Sequence, residues 1–340
     1  FANDVREASI RRRLQGIASE MIAAAAVSPA TSSDLIERFA KNISHLAERR
    51  GEDPVRRMAD VLQEVVDAIE REQGTPGGLV GLDTGFATLN ALTNGWQRGS
   101  LIVVGARPSV GKTTFALTTA LHVAKGDKGV YLASAEMSAP EIVRNALCNL
   151  GRVSSSLIRS GRMTAIHWRR LVSDGAAAAF NLRFFLDDSP NPTVRQIRNR
   201  VRRLAAMPSG LDLVVVDYLQ LLRATEGTNR EQEVASLARE LKVLAREFNV
   251  PVIALSQLNR ASTARSDHRP TPADLRESGA IEQHADMIIL LHPKDAPASG
   301  LAPANVTIQV DLAKNRNGQT GTVDLVRVGP EFRFEDGAAA

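Results

Sequence analysis

The sequence is short of two things, cysteine and long apolar runs. Cys148 is its single cysteine, which excludes an intramolecular disulfide and a zinc site built from several cysteines. No apolar run reaches the roughly 18 residues needed to cross a bilayer. We therefore expect a cytoplasmic protein that is not inserted in a membrane, with Cys148 as a small core residue.

Net charge is also low. The formal charge is +4 although the pI is about 9.5, so local basic clusters rather than a global field would have to hold a polyanionic partner. With 340 residues, 44% of them hydrophobic, the chain can bury one large core and a smaller appendage. Its first residue is Phe1 rather than methionine, from which we expect a fragment or a processed product.

A change of composition divides the chain near residue 75. Residues 1–75 carry apolar side chains at helical spacing and predict a helical segment. Pro76 and two glycines suit a connector. Residues 76–340 predict an α/β domain with a mostly parallel sheet, because short apolar strands alternate with helices. Strands are predicted at 101–104, 130–132, 184–186, 213–216, 252–255 and 287–291, and antiparallel strands are predicted from Val306 to Phe334.

The strongest motif follows the first of these strands. Residues 105–114 read G-A-R-P-S-V-G-K-T-T, a Walker A loop between a strand and a helix, with Ala106 in place of the first glycine. Lys112 would reach the β and γ oxygens of a nucleotide, and the Thr113 hydroxyl would bind Mg²⁺. We therefore predict an ATP or other NTP site with Mg²⁺, formed by Arg107, Pro108, Ser109, Val110, Gly111, Lys112, Thr113 and Thr114.

Two acidic residues lie where hydrolysis would need them. Asp217 ends the predicted strand 213–216, so we predict that it is the Walker B acid that holds Mg²⁺; the alternative is that it caps a turn. Glu136 follows the predicted strand 130–132, and we assign it as the general base for the attacking water. The alternative for Glu136 is an N-terminal cap of the helix that begins near Ser138.

Gln257 follows the predicted strand 252–255. We predict that it senses the γ-phosphate and reports it to the rest of the protein, with an exposed loop glutamine as the alternative. Arginines at 195, 198, 202 and 203 lie opposite an apolar stripe and predict a solvated helix face.

Six sequence blocks in order, over residues of about 78 to 335, resemble the DnaB-type replicative DNA helicases. S-Q-L-N-R and L-R-E-S-G are more specific to that group than to P-loop proteins in general. The blocks are A-R-P-S-V-G-K-T-T at 106–114, S-A-E-M at 134–137, V-V-V-D-Y-L-Q-L at 214–221, A-L-S-Q-L-N-R at 254–260, D-L-R-E-S-G at 274–279 and K-N-R-N-G at 314–318.

The resemblance implies a RecA-like P-loop ATPase that forms a homohexameric ring and moves 5′ to 3′ on single-stranded DNA. It gives Lys112, Thr113, Glu136, Asp217 and Gln257 the roles stated above. In K-N-R-N-G, it implies that Lys314 and Arg316 reach the ATP site of the neighbouring subunit, where an arginine finger acts. From the residues alone, Arg316 would be a solvated turn residue.

The same resemblance implies that Arg276, Glu277 and Gly279 line the central channel and bind the DNA backbone. Main-chain N–H groups and arginine bind phosphates without reading sequence, as a translocating motor requires. The segment from Ala2 to Leu14 resembles the linker helix that packs on the adjacent subunit. Residues 259–269 are a candidate for added DNA contact.

A helicase loader is an implied partner, while the N-terminal helical domain that docks primase in the family has no counterpart in this sequence. Primase binding is therefore not expected of the residues present. Two other classes share the nucleotide site. A RecA-family recombinase has the same fold, but its strand-exchange elements have no counterpart here. A P-loop protein that uses ATP as an assembly switch, or a small-molecule kinase, would show no turnover stimulated by DNA.

Overall fold

The computed structural model describes residues 2–27, 31–32, 35–36, 38–40, 42, 57–73, 78–223, 230–259, 269–275, 278–294 and 304–337. The chain divides into two compact units, Phe1–Gly74 and Thr75–Ala340. The long helices of the first unit are Ala2–Val27 and Met58–Gln73. Across these described ranges, every helix is too short or too polar to span a membrane.

The second unit alternates strands with helices. Its strands are β1 (Leu101–Ala106), β2 (Val130–Ser134), β3 (Phe184–Asp187), β4 (Leu213–Asp217), β5 (Val252–Gln257), β6 (Met287–Pro293), β7 (Asn305–Asn315), β8 (Gly321–Val328) and β9 (Arg333–Asp336). Its α-helices are Ala87–Thr93, Lys112–Lys125, Ala139–Gly151, Ser155–Ser160, Ala165–Arg169, Ala177–Phe180, Val194–Ala205, Arg230–Phe248 and Ser278–His284. A π-helical segment spans Arg170–Ala176, and 3₁₀ turns span Leu219–Leu221, Pro272–Asp274 and Gly329–Glu331.

The nine strands found in the described residues form one sheet in the order β3-β2-β4-β5-β1-β6-β7-β8-β9. The first six in that order pair in parallel, and β7, β8 and β9 are added in antiparallel pairs. The mostly parallel α/β fold that the sequence predicts is confirmed. Parallel strands need a crossover connection each, which is why helices separate the first six strands along the chain.

Apart from β3 at the end of the sheet, which is half-buried, the parallel strands are buried on both faces. Alternate residues of one strand enter different cores. Ile102 and Val104 pack in the core on one face of the sheet, while Leu101 and Val103 pack in the core on the other. Burying such a side chain contributes about 1.5–3 kcal/mol. A strand that loses water from both faces reads as a continuous apolar run, which is the pattern that predicted these strands.

Each of the six strands predicted in the parallel part of the sheet is present, and each extends one or two residues beyond its predicted end. The extensions place residues of the motifs at or just beyond the carboxyl ends of β1, β2, β4 and β5. Cys148 is fully buried in the helix Ala139–Gly151, and burial raises the pKa of its thiol to about 11. The expectation that it is a core residue is confirmed.

Candidate functional site

The Walker A loop connects β1 to the helix Lys112–Lys125. Gly111 has φ +113°, a conformation that favours glycine, and a Cβ there would lie 2.7 Å from Cδ of Arg327. The Phe115 amide donates to the carbonyl of Gly111 at 2.8 Å, which begins the helix. The amino end of that helix, whose first N–H groups have no partner within the helix, therefore lies at the Walker A loop.

Lys112 lies between a carboxylate and an aromatic ring. Its Nζ atom is 3.5 Å from Oδ1 of Asp217 and 4.1 Å from the ring centroid of Tyr218. Burial lowers the pKa of Lys112 below its ordinary value, and the negative charges of Asp217 and Glu136 oppose that shift. The ammonium thus lies beside two carboxylates that favour its charged form.

Thr113 and Asp217 form the pair that the sequence assigns to a metal. The Thr113 hydroxyl donates to Oδ2 of Asp217 at 2.7 Å, and Asp217 is 2% exposed. Its Oδ1 atom is buried and has no hydrogen-bond partner, although it lies within ion-pair distance of Lys112. Hydroxyl and carboxylate oxygens are hard ligands of the kind that Mg²⁺ prefers, so the donor set fits that ion. Asp217 is the last residue of β4, with both oxygens turned toward Thr113 and Lys112 rather than capping a turn.

Glu136 lies two residues beyond β2, and its exposed side chain lines a cavity at the carboxyl ends of the strands. The helix Ala139–Gly151 is capped by Ser138 and Glu141, which form a capping box. Met137 is held by a bond from its amide to Oγ of Ser134 at 2.9 Å. The alternative that Glu136 caps this helix is therefore wrong, and its carboxylate is left for another role.

Gln257 is the last residue of β5 and is half-buried at the edge of the cavity, so the alternative of an exposed loop glutamine is wrong. The backbone N–H of Gln257 donates to Oε1 of Gln220 at 3.4 Å, and Nε2 of Gln220 donates to Oγ of Ser256 at 2.8 Å. The residue that follows, Leu258, forms a bridge with Leu275. Gln257 is thus connected by backbone to the segment that precedes residue 276.

A cavity of 550 Å³ collects these residues at the carboxyl edge of the sheet. Its wall contains the predicted nucleotide-binding residues Arg107, Pro108, Ser109, Gly111, Lys112, Thr113 and Thr114, together with Glu136 and Gln257. Val110 is different, because its side chain packs in the core and does not line the cavity. Asp217 does not line the cavity itself but accepts a hydrogen bond from Thr113, which does.

Four further residues line the cavity that the sequence did not point to: Tyr218, Arg327, Gly329 and Phe332. Of these four, only Tyr218 could have been suspected from the sequence, because it directly follows the Walker B acid Asp217. The other three come from β8 and the turn after it, more than 200 positions from the Walker A loop, so their place in the wall depends on how the last strands fold back.

Lys314 and Arg316 lie at the opposite edge of the sheet. Lys314 pairs with Ile288 at the beginning of β6, and Nη1 of Arg316 lies 3.3 Å from Oδ1 of Asp286. Burial, and then the neighbouring charge of Arg316, lower the pKa of Lys314 below its ordinary value. The structure therefore does not bring these two residues together with the Walker A loop of the same chain.

The predicted DNA-binding residues are described only in part. Arg276 and Glu277 lie outside the described residues. Gly279 is exposed in the helix Ser278–His284, and a Cβ at that position would meet open space. Most of the candidate loop 259–269 also lies outside the described residues.

The chain matches a known family over most of its second unit. The DnaB-like helicase C terminal domain family matches residues 81–336. The replicative DNA helicase DnaC of Bacillus subtilis (strain 168) is 40% identical over 98% of this chain and 74% of that protein. A solved structure of a DnaB-like replicative helicase, described with its interactions with primase, has a TM-score of 0.82 at 29% identity and covers 98% of this chain and 78% of its own. A second solved structure, of an ATPase domain, has a TM-score of 0.76 at 32% identity, over 84% of this chain and 99% of its own.

Proposed function

The chain belongs to the DnaB-like replicative DNA helicases and is an ATP-hydrolysing DNA helicase, and from this premise we propose that it moves 5′ to 3′ on single-stranded DNA as a homohexameric ring. Family membership favours this function over a recombinase. The observation that carries the proposal is the convergence of four strand ends on one cavity, with Lys112, Thr113 and Glu136 around it.

The residues of this cavity divide the work of hydrolysis. The N–H groups of the Walker A loop and Nζ of Lys112 bind the phosphates of ATP, and Thr113 and Asp217 would hold Mg²⁺. That ion would offset negative charge on the phosphates. Glu136 faces the same space and accepts a proton from the attacking water. The carboxylate of Asp217, 3.5 Å from Nζ of Lys112, opposes the lowering of the Lys112 pKa that burial causes.

Completion of the site requires a second subunit. Arg316 lies at the other edge of the sheet, so it is available to a neighbour whose cavity faces that edge. A head-to-tail contact of this kind is heterologous and closes into a ring when its rotation is right. Lys314 and Arg316 of each subunit then stabilise the charge that develops on the phosphates bound by the next one.

A short path connects the γ-phosphate to the DNA-binding segment. Gln257 is followed by Leu258, which is fully packed against Leu275, and the amide of Asn259 donates to the carbonyl of Asp274 at 2.9 Å. Residues 276–279 follow at once. A shift of Gln257 on loss of the γ-phosphate would move this segment, and with it the residues Arg276, Glu277 and Gly279 that we assign to the DNA backbone.

Other partners follow from the family. We assign the protein to the cytoplasm, at the replisome, where a helicase loader would place the ring on DNA. The solved structure of a DnaB-like replicative helicase is described with its interactions with primase. We do not assign a primase-binding surface to the residues of this chain.

Unwinding polarity tests the proposal. Three DNA duplexes, one with a 5′ tail only, one with a 3′ tail only and one forked with both tails, would be incubated with the protein, ATP and Mg²⁺. Displacement that requires the 5′ tail is the expected result, and a Lys112→Ala sample is the control for contaminating helicase. Displacement that requires the 3′ tail, or strand pairing without displacement, would contradict the assignment.

A further inference from the structure

Arg327 of β8 lies against the Walker A loop. Its Nη1 donates to the carbonyl oxygen of Ser109, and its Cδ lies 2.7 Å from the position of a Cβ on Gly111. Its side chain also lines the 550 Å³ cavity. The guanidinium is therefore held at the rim of the phosphate-binding loop of its own subunit.

The charge of Arg327 is not matched by a carboxylate. Two other partly buried arginines of this unit are paired, Arg200 with Asp187 and Arg333 with Glu331. No described carboxylate lies within ion-pair distance of Arg327, its Nε atom is buried without a hydrogen-bond partner, and burial alone lowers the pKa of the group below its ordinary value. Burying an unpaired cation is costly, so the arrangement favours an anion beside it.

We propose that Arg327 is a nucleotide-binding residue acting within its own subunit, whose guanidinium contacts the phosphate tail held by residues 107–114. The inference rests on the proposed function, because it assumes that the loop binds a nucleotide. Arg327 is distinct from Arg316, which lies at the opposite edge and is paired with Asp286. Each cavity then has Arg327 from its own β8, and Lys314 and Arg316 from the neighbouring subunit.

A second role for Arg327 has to be separated from this one. The bond to Ser109 could fix the shape of the loop without any contact to the ligand. Arg327→Gln and Arg327→Lys both keep an N–H donor for the carbonyl of Ser109, but only the lysine keeps the charge. A loop clamp predicts similar nucleotide affinity in the two variants, whereas a phosphate contact predicts that only the glutamine variant loses affinity.

Binding of Mg-ADP, measured by the fluorescence of a labelled analogue, tests the proposal in the full chain. Arg327→Gln should raise the Kd roughly 10-fold to 100-fold, while Arg327→Lys stays within about 5-fold of the unmodified protein. Inorganic pyrophosphate, used as a competitor, should lose affinity for Arg327→Gln by a similar factor. The thermal midpoint of unfolding in the absence of nucleotide should be unchanged, and Arg198→Gln, which removes a paired arginine on the helix Val194–Ala205, is the matched control.

Three outcomes overturn parts of the account separately. Equal Mg-ADP affinity in Arg327→Gln and the unmodified protein would overturn this inference alone. Weaker ADP binding with unchanged pyrophosphate competition would place Arg327 against the base or ribose and overturn the phosphate contact. An unmodified protein that binds neither ligand would overturn the proposed function itself.

Discussion

The guanidinium of Arg316 lies 3.3 Å from the carboxylate of Asp286, at the edge of the sheet opposite the phosphate-binding loop. The same carboxylate accepts from the amide of Leu101 at 2.8 Å and lies 2.6 Å from Nζ of Lys242. Arg316 is therefore tied to the beginning of β1, the strand that ends in the Walker A loop. Its side chain is still 55% exposed, which leaves it free to contact a neighbouring subunit.

Arg316→Ala should leave ATP binding intact and collapse turnover, by about 10³-fold to 10⁵-fold if the residue is a full arginine finger. Subunit mixing makes the test specific. Inactive Arg316→Ala and inactive Lys112→Ala subunits should regain turnover when mixed, because some interfaces then combine an intact loop with an intact finger. Full activity of Arg316→Ala alone would exclude action on a neighbour's site.

Lys112→Ala should abolish hydrolysis, since it removes the cation that binds the β- and γ-phosphates. The measurement is steady-state release of phosphate at saturating ATP. Lys125→Ala, at the exposed end of the same helix, is the matched control and should keep the rate of the unmodified protein. An unchanged rate of hydrolysis by Lys112→Ala would mean that ATP is hydrolysed at a different site.

Glu136→Gln should lower kcat by about 10²-fold to 10⁴-fold while nucleotide affinity changes little, because only proton transfer from water is lost. Glu141→Gln is a sharp comparison, since Glu141 caps the helix that follows and does not act on water. That variant should lose a little stability and keep its turnover. The assignment would fail if the two variants had the same kcat.

Asp217→Asn should weaken the response to Mg²⁺. The variant loses a charged oxygen beside Thr113 and also the charge that offsets the burial of Lys112. Titration of Mg²⁺ at fixed ATP should show half-maximal turnover at a higher concentration, with EDTA abolishing turnover in the unmodified protein. An unchanged titration curve would remove Asp217 from the metal site.

The parallel half of the fold could be predicted from sequence because its strands are buried on both faces. Val214, Val215 and Val216 are fully buried, so the strand has an apolar side chain at each of these positions. The first polar residue after them, Asp217, marks the end of the strand. The motifs then follow from topology, since the carboxyl ends of parallel strands meet at one edge of a sheet.

The rest of the site could not be predicted in this way. Arg327 contacts Ser109, a residue 218 positions earlier, and its own strand β8 shows only alternation, which sets a face and not a neighbour. Phe332 has φ +48° in the turn that follows β8, a conformation that its sequence does not signal. The wall that these residues form depends on the register of three antiparallel strands.

The most direct test of a ring motor is the steady-state ATPase rate, measured with and without single-stranded DNA over protein concentrations that span assembly. Because each cavity needs Arg316 of another subunit, turnover per subunit should rise steeply with concentration, and DNA should raise it further. Turnover per subunit that is the same at every concentration and indifferent to DNA would contradict the account, and would leave a nucleotide site that a single chain completes.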